Sequence, residues 1–199
     1  MSIYKKMLVL CSIALLAACS EEAVEEVAEE QGLSVSAQTY TDSLFAVMNA
    51  DRTNYTALII DRLGPAGAGA ITPNEYWEDH ENGSPLPAQM FRFGAEGVAE
   101  VTDVFSYSLQ SSWCINKQNC PSTPMEIEGL KYVEENVGEN FYGEEELGGV
   151  TYFTAVYPDV AVTAGCVACH NGHIDSPRDD FVLGEVMGGV VIRVPFDNL

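Results

Sequence analysis

The chain has 199 residues, with 30 Asp and Glu against 9 Lys and Arg, for a formal charge of −21. That balance excludes a nucleic-acid binder, which needs clustered Lys and Arg to neutralise phosphates, and recruitment to anionic lipid by charge alone. Hydrophobic residues make up 47% of the chain, so it can bury one core, and its one long apolar stretch lies at the N-terminus, which excludes a polytopic membrane protein.

Lys5 and Lys6 precede an apolar run from Met7 to Leu16, followed by Ala17-Ala18-Cys19. A basic start, a short apolar run and small residues before the cut describe a secretory leader over residues 1–18. The run is about half of the ~20 residues that a transmembrane helix needs. The tetrapeptide Leu16-Ala17-Ala18-Cys19 resembles the bacterial lipobox, which implies lipidation of Cys19; the alternative is a plain signal peptide. Ser20 after it favours the outer membrane. Cleavage would remove two lysines and no acid, taking the formal charge from −21 to −23. Residues 20–30 hold six glutamates in eleven positions, which reads as a solvated tether over 19–34. A single domain, 35–199, follows.

Ala37 to Leu63 has the period of an amphipathic helix, with Tyr40, Leu44, Val47, Met48, Tyr55, Leu58 and Ile59 at three- and four-residue steps. Gly64-Pro65 ends it. Ser84-Pro85-Leu86-Pro87 opens a second helix with Met90, Phe93, Gly94, Gly97, Val98 and Val101 on one face. Val104 to Gln110 alternates as a strand does. Cys114 and Cys120 flank a turn-like segment suited to a short-loop disulfide. A reduced pair, or half of a four-cysteine zinc site with Cys166 and Cys169, are the alternatives. Thr123-Pro124-Met125-Glu126 is a capping box that starts a third helix, burying Ile127, Leu130, Val133 and Val137. Thr151 to Tyr157 and Gly189 to Val194 read as strands. The expected class is α+β with an antiparallel sheet and the long N-terminal helix over it.

Between the last two strands stands Cys166-Val167-Ala168-Cys169-His170, the C-x-x-C-H pattern of covalent c-type haem attachment. Two thiols at this spacing reach the two vinyl groups of one haem, and the next histidine becomes the proximal iron ligand. A thioredoxin-like disulfide is the rival reading, but Gly165 before the motif and Asn171-Gly172 after it leave no long helix to carry one.

The segments Asp51-Arg52-Thr53-Asn54-Tyr55-Thr56, Pro85-Leu86-Pro87-Ala88-Gln89-Met90-Phe91 and Tyr107-Ser108-Leu109, the Asn116 to Cys120 turn, Glu128-Gly129-Leu130 and Gly184-Glu185-Val186-Met187-Gly188-Gly189-Val190 complete a pattern. With the haem motif, they resemble a family of exported c-type-haem domains with a PAS-like fold, some free-standing and some input modules of receptors. The resemblance spans most of Asp51 to Pro195. It implies one covalent haem c on Cys166 and Cys169, with His170 as iron ligand, bound through a loop. Members of the cyanobacterial type use a cysteine of the N-terminal helix as sixth ligand, and this chain has none between Leu33 and Trp113.

Met48, Met90 and Met187 are the candidate thioether ligands, in that order, each with core packing as the plain alternative. His173 is expected exposed near a propionate, and His80 in a mobile acidic stretch. Arg52 is expected to meet a haem propionate, or else to pair within its helix with Asp51 or Asp42. Tyr55 would bond at the haem edge or simply pack.

Three functions follow from the haem. The first is an electron-transfer or redox-responsive monohaem lipoprotein facing the periplasm, with a redox partner of basic surface, the membrane met through the lipid, and homodimerisation left open. The second is a PAS-like sensor of a small gas or redox state that signals through a separate partner. The third is a peroxidase using His80 and Arg92, the only pair of its kind here. No hydrolase or phosphate-loop motif appears, and the first two readings are of a carrier or a sensor rather than a catalyst.

Overall fold

The computed structural model describes residues 34–198. The leader, Cys19 and all but the last residue of the acidic tether lie outside the described residues. Ser36 caps helix α1 (Ala37–Asn54), its Oγ accepting the Thr39 N–H at 3.1 Å. The helix then widens into a π-helical segment, Tyr55–Asp61, and ends at Gly64. The long helix read from the sequence is present, but it is not uniform. Leu44, Phe45 and Met48 pack on the sheet, while Val47 falls beside that stripe and is exposed. Past Asn54 the wider turn shifts the phase, and Leu58 and Ile59 face solvent instead of the core.

A short parallel pair, β1 (Thr72–Pro73) and β2 (Gly83–Ser84), closes the loop that carries Trp77 and His80. Helix α2 (Pro87–Val101) starts with proline in its first turn, and the Gln89 side chain accepts the Leu86 N–H at 2.9 Å. Its packed face differs from the expected one. Phe91 is buried edge-to-face on Tyr107, with centroids 4.9 Å apart, whereas Met90 and Val101 are exposed.

Strands β3 (Ser106–Gln110), β4 (Phe141–Leu147), β5 (Val150–Val160) and β6 (Val186–Pro195) form one antiparallel sheet in the order β3-β6-β5-β4. β4 has no counterpart in the sequence reading, because three consecutive glutamates hide its alternation. Its signal was Gly148-Gly149, whose φ values of 61° and 85° make the two-residue turn into β5.

α1 and α2 cover one face of the sheet, over Ala155, Tyr157, Val190 and Ile192. Helix α3 (Pro124–Glu135) covers the other, with Leu130 and Val133 against Val156 and Val191. Ile127 and Val137, expected in the core, are 55% and 78% exposed. Val137 lies beyond the helix end, and the line of contact runs through Gly129 rather than Ile127. A Cβ on Gly129 would sit 2.5 Å from Val156 Cγ2 and 2.9 Å from Phe141 Cδ1. Gly129→Ala should therefore cost about 1–3 kcal/mol in chemical denaturation; an unchanged midpoint would show that α3 does not pack this closely.

The Cys114–Cys120 disulfide is formed. It takes two of the four thiols that a zinc site would need, so that alternative falls. Helix α4 (Ala164–Gly172) lies between β5 and β6, where a loop was expected. The fold is α+β, with the expected PAS-like antiparallel sheet under a long N-terminal helix. No helix among the described residues is long and apolar enough to cross a membrane.

Candidate functional site

α4 carries the whole C-x-x-C-H motif. Thr163 caps it, Oγ1 accepting the Cys166 N–H at 3.4 Å, so helical spacing sets Cys166 and Cys169 on one side with His170 beside them. Both thiols are unpaired. The following segment folds back beneath the helix. Asn171 brackets Phe181, donating to its carbonyl at 2.9 Å and accepting its N–H at 3.0 Å. Phe181, 2% exposed, meets the His170 ring edge-to-face with centroids 6.0 Å apart. The Arg178 guanidinium stacks on Phe181 at 4.1 Å and on Trp113 at 4.6 Å, and bonds Asp180 and Glu185 at 2.8 Å each. His170 thus rests on a packed support whose parts come from three places in the chain.

On its other side, His170 lines a cavity of about 630 Å³ together with Cys169. α1 contributes Arg52 to the wall, β3 contributes Tyr107, and the end of β5 contributes Asp159. Arg52 Nη1 donates to Asp159 Oδ1 at 2.5 Å, with the side chains 14% and 12% exposed. Arg52 Nε is buried with no hydrogen-bond partner. Burial pushes the Asp159 carboxyl up, and the charges of Arg52 and His170 pull it back. Burial pushes the His170 imidazole down, toward its neutral, metal-binding form; Asp159 opposes this, and Arg52 and His173 add to it. Burial also pushes the Cys169 thiol up, with Glu75 and Cys166 adding, although the residue reaches solvent at the rim. A thioredoxin-type thiol needs the opposite shift.

A family model described as Tll0287-like matches residues 25–195. The chain belongs to the Tll0287-like family. Its structure is similar to the crystal structure of the cyanobacterial haem protein Tll0287, with a TM-score of 0.50 and 15% sequence identity over 81% of this chain and 98% of that one. At that identity the likeness concerns the fold. A comparison with curated proteins returned no match.

In this Tll0287-like domain Cys166 lines neither cavity and packs against the cluster of Ala161, Phe181 and Met187, while other predicted site residues divide between two cavities. Cys169, His170, Arg52, Arg92, His173 and Met187 line the larger one. Met48, Met90 and Tyr55 line a neighbouring cavity of about 290 Å³, to which Arg52 and Tyr107 also belong. Tyr55 donates its hydroxyl to the Pro85 carbonyl at 2.8 Å. Within the chain, the anionic mate of Arg52 is Asp159, 107 residues away, rather than Asp51 or Asp42. Asp42 instead accepts the hydroxyls of Tyr142 and Tyr157 at 2.8 Å each.

His173 is not the exposed residue that was expected. Its Nε2 lies 2.9 Å from Glu75 Oε1, and its Nδ1 accepts the Asp175 N–H at 3.1 Å. His80 is exposed and stands in the wall of neither cavity, so the His80–Arg92 pair is not brought together. Met187 is 5% exposed and packs with Phe181.

Asp159, Asn171, Phe181 and Glu75 belong to the site and were not read from the sequence. Asn171 looked only like a helix stop. A carboxylate at a strand end, as Asp159 is, carries no local signal of its role.

Proposed function

We propose that this protein is a lipid-anchored, periplasm-facing monohaem protein of the c type that works in electron transfer or redox response. One observation carries the reading: α4 holds two unpaired thiols and sets one of them, Cys169, with the His170 imidazole at the wall of one cavity. At about 630 Å³ the cavity falls within the roughly 300–1,000 Å³ of cofactor sites. Cys166 and Cys169 would form the thioethers, His170 would ligate the iron, and the spare Nε of Arg52 would receive a propionate or another acceptor. The haem supplies the ferric–ferrous couple; the chain's residues hold it, orient the imidazole and shield both from water. The fold shared with a haem protein supports the same reading.

The test is the full chain exported with the c-haem maturation machinery. Haem should stay attached through denaturation, and Cys166→Ala/Cys169→Ala should remove all covalent haem. Cys19→Ala should move the protein from the membrane to the soluble fraction. Haem that is fully extractable from the parent protein would end the c-type reading.

A gas- or redox-sensing haem protein is the second reading. It is favoured by the placement of Met48 and Met90 in the neighbouring cavity rather than with His170. Carbon monoxide decides between the two: an unchanged ferrous spectrum supports a closed, electron-transferring iron, and a shifted one supports sensing.

A further inference from the structure

We propose that the mouth of the His170 cavity, around Tyr76 and Ile174, is the docking face for a redox protein of basic surface; this rests on the haem reading above. Cys169, which would bond the prosthetic group, is exposed and lines the same cavity. Tyr76 and Asp175 line the cavity beside it. Tyr76 is 70% exposed and Ile174, next in chain to Asp175, is 93% exposed. Neither packs into the core, and both stand in water at or next to residues that line the cavity.

Two of the segments that line the cavity meet here, joined by the 2.9 Å contact of His173 with Glu75. Residues 70–83 bring Glu75, Glu78, Asp79 and Glu81 and no Lys or Arg. Residues 171–185 bring Asp175 and Asp179, while Arg178, their one Lys or Arg, is spent on Asp180 and Glu185. Exposed apolar side chains beside charged ones suit a transient interface. Arg92, which also lines the cavity, is paired with Glu96 at 3.4 Å, so acids prevail here and their sign selects the occupant. A second copy of a chain carrying −21, or an anionic lipid surface, would be repelled, whereas a basic protein would be steered to the place where the electron leaves.

The test uses the haem-loaded full chain and a cationic soluble cytochrome c as probe. Binding is read by calorimetry, which does not depend on electron flow, and haem content is scored first on every preparation. A protein that carries no haem fails the underlying reading; one that carries haem but does not bind fails only the docking face.

Affinity should fall by about tenfold or more between ~0.01 M and ~0.15 M salt. Ile174→Ser should weaken binding several-fold, and Asp175→Lys/Asp179→Lys about tenfold at low salt. The control is Glu144→Lys/Glu146→Lys, which makes the same charge change on β4. That strand is the opposite edge of the sheet from β3, whose residues line the cavity. Equal weakening by the control, or an unaltered affinity in Ile174→Ser, would overturn the proposal.

Discussion

Glu126→Gln is expected to lower the unfolding free energy at pH 7 by about 3 kcal/mol. Glu126 sits at the start of α3, 2% exposed, and its carboxylate collects five hydrogen bonds. Oε1 accepts from Gln110 and from Arg193, each at 2.6 Å. Oε2 accepts from the Ser122 N–H at 2.5 Å, its hydroxyl at 3.0 Å and the Thr123 N–H at 3.0 Å. Arg193 continues to Glu145 at 2.6 Å, and Glu145 accepts the Thr154 hydroxyl at 2.8 Å. One network thus ties α3 to all four strands. A glutamine would turn an amide N–H₂ toward these donors and would remove the charge that faces Arg193.

The same carboxylate sets a pH dependence. Burial alone would push its pKa up, but the bonds from Ser122, Gln110, Arg193 and Thr123 outweigh burial and hold it at about 2, against an ordinary 4.5. A depressed folded-state pKa means that the stabilisation is complete above the unfolded value. It is lost as pH falls from about 5 through about 2. Each tenfold loss of proton affinity is worth roughly 1.4 kcal/mol, so the whole effect is about 3 kcal/mol. Urea titrations from neutral to acid pH check it. The parent should lose stability across that window, and Glu126→Gln should have a flatter acid limb. Parallel curves would remove Glu126 as the cause.

Asp159→Ala is expected to cost about 3–5 kcal/mol, more than its own contacts would suggest. The carboxylate and the Arg52 guanidinium meet at 2.5 Å with little solvent around either. Removing the acid leaves a buried cation whose Nε already has no partner. Replacing both residues, as Arg52→Leu/Asp159→Leu, removes the uncompensated charge, so most of the loss should be recovered. Denaturation of the two single variants and the double closes a thermodynamic cycle. Additive losses would show that the pair is not coupled and that each residue matters for its packing alone.

The sequence was most legible where the signal is local. Thr123 and Glu126 form their capping box, Pro87 opens α2, and Cys114 pairs with Cys120, because each feature needs only residues within one or two turns of chain. The C-x-x-C-H motif of Cys166, Cys169 and His170 is local in the same way, lying within five residues, and the structure carries it on one helix, α4. β4 was missed because its exposed positions are glutamates, and its one inward carboxylate, Glu145, is accounted for only by Arg193 on another strand. The methionines could not be placed, because a stripe along a helix gives its apolar side and not which of two adjoining cavities it faces.

The order of residues alone was enough for the acidic character of the chain, the α+β class, the start of each major helix and the C-x-x-C-H motif. It took the packed molecule to make Asp159 the mate of Arg52, to set Phe181 and Asn171 in support of His170, and to join α3 to the sheet through Glu126. The physical reason is range. Caps, turns and attachment motifs act between near neighbours in the chain. Buried charges take whatever partner the packed sheet brings to them, and that partner's address is written in the fold.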